Sequence, residues 1–231
     1  MEGAIAFENV VFGYLPEEPV LKGVSFEVSK GETLAIVGAT GAGKSTIINL
    51  LNRFYGIQSG RISIDGHSIS ALSLAGLRSH IAVVLQDVFL FADTIENNIS
   101  LGNPEISISE IEAAAKDIGV HDFIVSLPGG YQFNVKERGG MLSSGQRQLI
   151  AFLRAYVTKP SILVLDEATS SIDSASEQLI QKATDTITKG RTSIVIAHRL
   201  ATIQKASNIL VMDAGVIVEQ GTHETLLKKG G

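Results

Sequence analysis

Between Thr33 and Phe54 the chain reads "TLAIVG", then "GATGAGKST", then a run that sets Ile47, Ile48, Leu50, Leu51 and Phe54 on one face of a helix over Lys44 to Phe54. A short apolar strand, a glycine-rich loop and an amphipathic helix in direct succession point to the layered α/β architectures. The loop, Gly38 to Thr46, fits G-x-x-x-x-G-K-[ST] through Gly38, Gly43, Lys44 and Ser45. Glycines at this spacing let the backbone curl until the N–H groups of Gly38, Ala39, Thr40, Gly41, Ala42 and Gly43 point inward around phosphate oxygens. The helix that follows adds its positive N-terminal end, which Thr46 helps to form. Lys44 brings a mobile charge for the outer phosphates, and Ser45 a hydroxyl suited to magnesium. A plain glycine turn capping a helix is the simpler alternative, but the placement between strand and helix favours a nucleotide.

A phosphate loop needs a magnesium partner and a group to orient water. In "SILVLDEAT" an apolar strand delivers Asp166 and Glu167 at its carboxyl end, where open parallel sheets bind their ligands. Asp166 is read as the magnesium partner and Glu167 as the group that polarises the attacking water. Two acids after a strand can also simply cap the next helix. "TSIVIAHRL" ends another apolar strand with His198, placed to contact a γ-phosphate. Gln86, after "AVVL", could bind magnesium or water. His67, His80, His121 and His223 carry no comparable context and are read as structural or solvated.

The rest of the chain supports one core with a smaller lobe. Residues 4–38 alternate as short strands; "SISEIEAAAKDIGVHDFIVSL" has helical spacing with Ser107 or Ser109 as a cap, broken at "PGGY". A helix is expected around Ser174 to Thr188, and "NILVMDAGVIVEQG" reads as a hairpin turning at Ala214-Gly215. With 231 residues, 45% hydrophobic and 19% charged, the chain can bury a core of its own. A net charge of -5 argues against a nucleic-acid surface, and the absence of cysteine removes disulfides and thiol chemistry. No apolar run approaches the roughly 18 to 20 residues of a membrane helix. Nor does the N-terminus read as a signal peptide, so a cytoplasmic setting is expected.

Taken together and in order, these residues resemble the nucleotide-binding domain of an ATP-binding cassette transporter, over essentially the whole chain. "GATGAGKST" matches Walker A, Gln86 the Q-loop, "ILVLDE" Walker B, "SSID" with Asp173 the D-loop, and His198 the switch histidine. Tyr14 in "VVFGY" stands where the family places an aromatic that stacks on adenine. "LSSGQ", Leu142 to Gln146, matches the signature that sets this family apart from other phosphate-loop proteins. The resemblance implies that two domains close head to tail on two ATPs, as a homodimer or heterodimer. Ser143, Ser144, Gly145 and Gln146 of one would then cover the nucleotide held by the other. It implies ATP and Mg2+ as ligands, with Ser45, Gln86 and Asp166 around the metal.

"QDVFLF", "TIENNI" and "ERGGMLSSGQRQ" resemble the exporter type, in which a membrane domain precedes this one on the same polypeptide. Two departures stand out. Position 144 is Ser where the common signature has Gly, and "FNVKERG" replaces a segment nearer to "TEVGERG". The end, "HETLLKKGG", stops short of a final helix that the family pattern leads one to expect.

The expected fold is α/β, a phosphate-loop NTPase with a mixed core sheet, an N-terminal antiparallel β layer and a helical signature-bearing lobe at about 87–157. Residues 1–231 form one such domain, read as a piece of a longer transporter at the cytoplasmic face of a membrane. The expected function is MgATP hydrolysis driving export, with Lys44, Glu167 and His198 as catalytic groups. A soluble cassette protein of translation or DNA repair, a regulatory module that binds ATP without hydrolysing it, and an importer subunit are the rival readings.

Overall fold

The structure is a computed structural model that describes residues 1–167 and 174–230. In chain order its elements begin β1 (Ile5–Phe12), β2 (Leu21–Val28), β3 (Thr33–Gly38), α1 (Lys44–Leu51), β4 (Ser59–Ile64), β5 (His67–Ser68), α2 (Leu74–Ser79) and β6 (Ile81–Val84). Four helices follow, α3 (Ile95–Ser100), α4 (Ile108–Ile118), α5 (His121–Ser126) and α6 (Ser144–Val157). The remainder is β7 (Ile162–Asp166), α7 (Ser174–Thr188), β8 (Thr192–Ile196), α8 (Leu200–Lys205), β9 (Asn208–Asp213), β10 (Val216–Gly221) and α9 (His223–Lys229). The terminal "HETLLKK" thus itself forms a helix.

The chain divides into two compact units, one of Met1–Val83, Pro160–Glu167 and Gly190–Gly231, the other of Val84–Lys159 and Ala168–Lys189. The first unit contains an antiparallel sheet ordered β2-β1-β4-β5. Phe7 faces Phe26 across β1 and β2, and their rings stack at 4.5 Å, a cross-strand aromatic pair that fixes the register. The second sheet is mixed, ordered β10-β9-β3-β8-β7-β6, with β3, β7, β8 and β9 parallel and β10 returning antiparallel to β9. That arrangement is the expected mixed core with an N-terminal antiparallel layer, and the turn between β9 and β10 is Ala214-Gly215 as expected. Helix α1 buries Ile47, Ile48, Leu50 and Leu51 in one cluster with Phe7 and Ile62 of the antiparallel sheet and Ile36, Val164 and Ile194 of the mixed one. Each such side chain contributes about 1.5–3 kcal/mol by leaving water.

The helix ends earlier than its periodicity suggests. It was expected to reach Phe54 and to bury that ring, but it stops at Leu51, and Phe54 is 56% exposed under the Arg78 guanidinium, 4.9 Å from the ring centroid. Arg53 takes φ 54, its N–H donates to Leu50 O, and the N–H of Phe54 donates to Asn49 O. These bonds form a Schellman motif, with arginine in the left-handed position that glycine usually fills. Arg53 is held there by donating to Ile69 O at 2.8 Å and Leu72 O at 2.6 Å. No glycine marks the end, so the sequence reads on as helix.

Asp65 and Gly66, both at positive φ, form the two-residue turn that pairs Ile64 with His67. The Asp65 carboxylate accepts from the N–H groups of Glu2 at 2.7 Å, Gly3 at 3.0 Å and Ala4 at 2.9 Å, fastening the chain start to the sheet. Burial pulls this carboxyl upward, but the three N–H donors outweigh it and hold it below the usual value of 3.8. A depressed carboxylate adds stability above the unfolded value and loses it as pH falls through the folded one. Asp65→Asn is therefore expected to lower stability by about 1 kcal/mol at neutral pH. The deficit should hold above 3.8 and shrink steadily as the pH falls below it, as read from denaturant midpoints at each pH; a deficit of the same size at every pH down to full protonation would show the charge to be irrelevant.

In the second unit α6 packs on α3, α4 and α7. Of the two candidate caps for α4, Ser107 is the one used: its hydroxyl accepts from the N–H of Glu110, whose carboxylate accepts from the N–H of Ser107 in return. Gly119, at φ 81, ends α4, so the expected helical stretch is two helices. Arg154 on α6 donates to Asn98 O at 2.7 Å and Phe89 O at 3.3 Å, and its burial lowers the guanidinium from its ordinary value. Tyr131 is buried with its hydroxyl 2.9 Å from His121 Nδ1; burial first, and the Glu112 charge second, raise the phenol to about 12.

Candidate functional site

Strand register assembles the site of the first unit. Ile36 on β3 and Asp166 on β7 both pair with Ile196 of β8, the strand between them. The three parallel strands consequently finish level. The glycine loop leaves β3 after Gly38, Glu167 follows Asp166, and Ala197-His198 follow Ile196, all at one end of the sheet. Two bonds lock that end, Ala197 N–H to Ile36 O at 3.1 Å and Glu167 N–H to Ile196 O at 3.2 Å. The histidine strand lies between the glycine-loop strand and the acidic strand, an order no local pattern specifies.

The loop is cut to fit its surroundings. A Cβ on Gly38 would lie 2.2 Å from Met212 O on β9, and one on Gly43 would lie 2.7 Å from a methyl of Leu21. Both residues also have positive φ, 150 and 100, so neither position admits a side chain. Gly43 is the N-cap of α1 and supplies no side-chain acceptor, which leaves the first N–H groups of the helix for an outside anion. Lys44 arches back over the loop, its Nζ donating to Gly38 O at 2.7 Å and Ala39 O at 2.9 Å. Ser45 is exposed beside it, whereas Thr46 is buried. Ser45 hydroxyl and Asp166 carboxylate are hard oxygen donors of the kind magnesium takes when phosphates complete its shell.

Tyr14 is half exposed and well braced. Its ring meets Phe12 and Tyr55 edge to face, each at 5.0 Å. Its hydroxyl lies 3.3 Å from Thr46 Oγ1 and accepts from Asn49 Nδ2 at 3.2 Å. The tyrosine is thus tied to the first turns of α1. Beside it opens a cavity of about 430 Å3 lined by Val20, Lys22, Gly41 and Ala214 among others, within the range of small-molecule sites. The turn after Ala214 packs closely on β2: Gly215 O accepts from Lys22 N–H at 2.9 Å, and a Cβ there would lie 2.1 Å from Val20 O.

Glu167 does not face solvent freely. One oxygen, Oε2, accepts from the N–H groups of His198 at 3.0 Å and Arg199 at 3.1 Å, and Oε1 accepts from the Thr202 hydroxyl. The acid braces the backbone just ahead of α8, one strand over. The imidazole of His198 is exposed.

Gln86 and the signature belong to the second unit. Gln86 is exposed two residues past β6. Ser143 is the N-cap of α6, its hydroxyl accepting from Gln146 N–H at 3.2 Å while the Gln146 side-chain oxygen accepts from Ser143 N–H at 2.9 Å. Ser143 and Ser144 are exposed and Gly145 is buried. Ser144 is helical and has no positive φ, so serine fits where the common signature has glycine. The other departure behaves differently: Lys136, in place of the pattern's glycine, holds φ 59 and ψ -173, backbone that glycine favours. Asp173 and its "SSID" segment lie outside the described residues.

These features define a phosphate-loop nucleotide domain with a capped signature helix. The ABC transporter family pattern matches residues 21–170, and the chain belongs to that family, as an ATP-binding domain of the exporter type. It is 51% identical over 230 residues to the ATP-dependent lipid A-core flippase of Saccharophagus degradans, covering 100% of this chain and 39% of that protein. It is 49% identical over 231 residues to the fatty acid ABC transporter ATP-binding/permease protein of Mycobacterium bovis, covering 100% and 37%. Among solved structures it is similar to a bacterial Atm1-family ABC exporter with ATP bound, at TM-score 0.91 and 47% identity over 99% of this chain and 40% of that one. The chain therefore spans well under half the length of these relatives. Among the described residues no helix is long and apolar enough to cross a membrane.

Sequence reasoning missed Thr202, Asn49, Tyr55 and the Ala214-Gly215 turn as parts of the site. Thr202 had a weak signal, a hydroxyl four residues after His198 in "AHRLAT". The others are brought in by pairing and packing that no local motif records.

Proposed function

We propose that this domain hydrolyses MgATP and that hydrolysis drives export through a membrane domain on the same polypeptide. The observation that carries the reading is the level finish of β3, β7 and β8, which collects Lys44, Asp166, Glu167 and His198 at one sheet end. In this reading the amides of residues 38–43 and the Lys44 ammonium hold the phosphates, and Tyr14 stacks on the base. Ser45, Asp166 and Gln86 hold magnesium, which when bound neutralises phosphate charge. Glu167 takes a proton from the attacking water, and His198 contacts the γ-phosphate.

Ser143, Ser144, Gly145 and Gln146 close over the ATP of a second copy or a homologous domain, with the D-loop residue Asp173 at the same interface. The exposed Ser143 hydroxyl accepts within its capping box and keeps its own proton to donate to a phosphate oxygen. Residues 1–231 are then the ATP-binding part, with its helical lobe at about 87–157, of a longer ATP-binding/permease protein at the cytoplasmic membrane face. Complete coverage of this chain against 37–39% of two relatives supports that reading. Purified chain is expected to release phosphate from ATP with magnesium and to stop when EDTA removes the metal. ATP binding with no phosphate release under either condition would leave the non-hydrolysing regulatory module as the better account.

A further inference from the structure

We infer that Thr202 is a positioning residue for hydrolysis, orienting the Glu167 carboxylate through its hydroxyl; the inference rests on Glu167 acting as proposed above. An ionised carboxylate offers about four lone-pair sites. Here three are filled, two on Oε2 by the N–H groups of His198 and Arg199 and one on Oε1 by Thr202. The two N–H donors belong to one short stretch of backbone and fix one oxygen. A carboxylate held at one oxygen still swings about that point. The Thr202 hydroxyl, on the first turn of α8, removes that freedom by fixing the second oxygen. One acceptor site is left, with a set direction, for a water.

Several observations separate this from ordinary helix capping. The backbone donors to Glu167, His198 and Arg199, lie ahead of α8 and not in its first turn, so the acid does not serve as that helix's cap. For bracing alone the backbone N–H groups would suffice, yet the Thr202 side chain is spent on the same acid and is itself buried. The contact also joins the end of β7 to the segment that carries His198, so both groups are oriented by one small network. The step it serves is balanced. As the water oxygen bonds to the γ-phosphorus, its proton passes to Glu167, the bond from that phosphorus to the bridging oxygen breaks, and ADP leaves with the electron pair. A base that wanders costs rate without costing ATP binding.

The test compares Thr202→Val, which keeps the shape and loses the hydroxyl, with Thr202→Ser, which keeps the hydroxyl and loses a methyl. In steady-state phosphate release from MgATP, Thr202→Val is expected to lower kcat about tenfold with KM within about twofold. Thr202→Ser should stay within about twofold of the parent in both. Placed in a Glu167→Gln background, Thr202→Val should lower the rate no further, because the two residues act as one. An unchanged kcat in Thr202→Val overturns the inference. So does a loss that follows packing, with Thr202→Ser as slow as Thr202→Val, or a full tenfold loss on top of Glu167→Gln. Wild-type turnover in Glu167→Gln alone would instead remove the role of Glu167 on which the inference stands.

Discussion

Glu167→Gln is expected to bind ATP as the parent does while phosphate release falls by about 100-fold or more. A positioned general base contributes about 10²–10⁴ to rate, and an amide cannot take the proton. The network around position 167 makes this substitution unusually clean. Glutamine can turn its oxygen toward the N–H groups of His198 and Arg199 and donate from its nitrogen to the Thr202 hydroxyl, which then acts as acceptor. These bonds and the fold survive, so the thermal midpoint should stay within a degree or two. With the bridging phosphate no longer cleaved, a nucleotide-bound dimer should accumulate, visible by size-exclusion chromatography with ATP. Unchanged turnover would remove Glu167 from the chemistry and leave it as a brace on the backbone ahead of α8.

Lys44→Ala attacks the earlier step. It is expected to weaken ATP binding about 30- to 150-fold, read by titration calorimetry or a fluorescent ATP analogue, and to abolish turnover at any ordinary concentration. Loss of charge-assisted bonds to phosphate is worth about 2–3 kcal/mol, which sets that range. The fold should not suffer, because among the described residues the Nζ of Lys44 bonds to carbonyls of its own loop, Gly38 and Ala39. ATP affinity equal to the parent would sink the phosphate-binding role. A matching loss of affinity for triphosphate without a base would place the effect at the phosphates and leave Tyr14 untouched.

What could be read in the chain beforehand divides along physical lines. The glycine loop, the acids after "ILVL", and the start of α6 were legible, because each is specified by neighbours within a few residues. The strand order was not. That β8 inserts between β3 and β7 depends on pairing between residues 36, 166 and 196, and no local pattern encodes it. The early end of α1 escaped because Arg53 does the work of a glycine, held by carbonyls from residues 69 and 72. The link between Glu167 and Thr202 spans 35 positions. The family resemblance supplied roles for Tyr14 and Ser143, whereas the braces that hold Tyr14, namely Tyr55, Phe12 and Asn49, came only with the structure.

The reciprocal bonds between Ser143 and Gln146 bear on what the proposed closure of two such domains would cost. Ordering a rotamer-rich side chain at an interface costs about 0.5–1.5 kcal/mol each, a charge that docking surfaces ordinarily meet at the moment of contact. Here the start of α6 has already given up that freedom within a single chain, through bonds of 2.9 and 3.2 Å. A second copy would meet a rigid edge, so the entropy lost on closing falls chiefly on the nucleotide and on the bodies themselves.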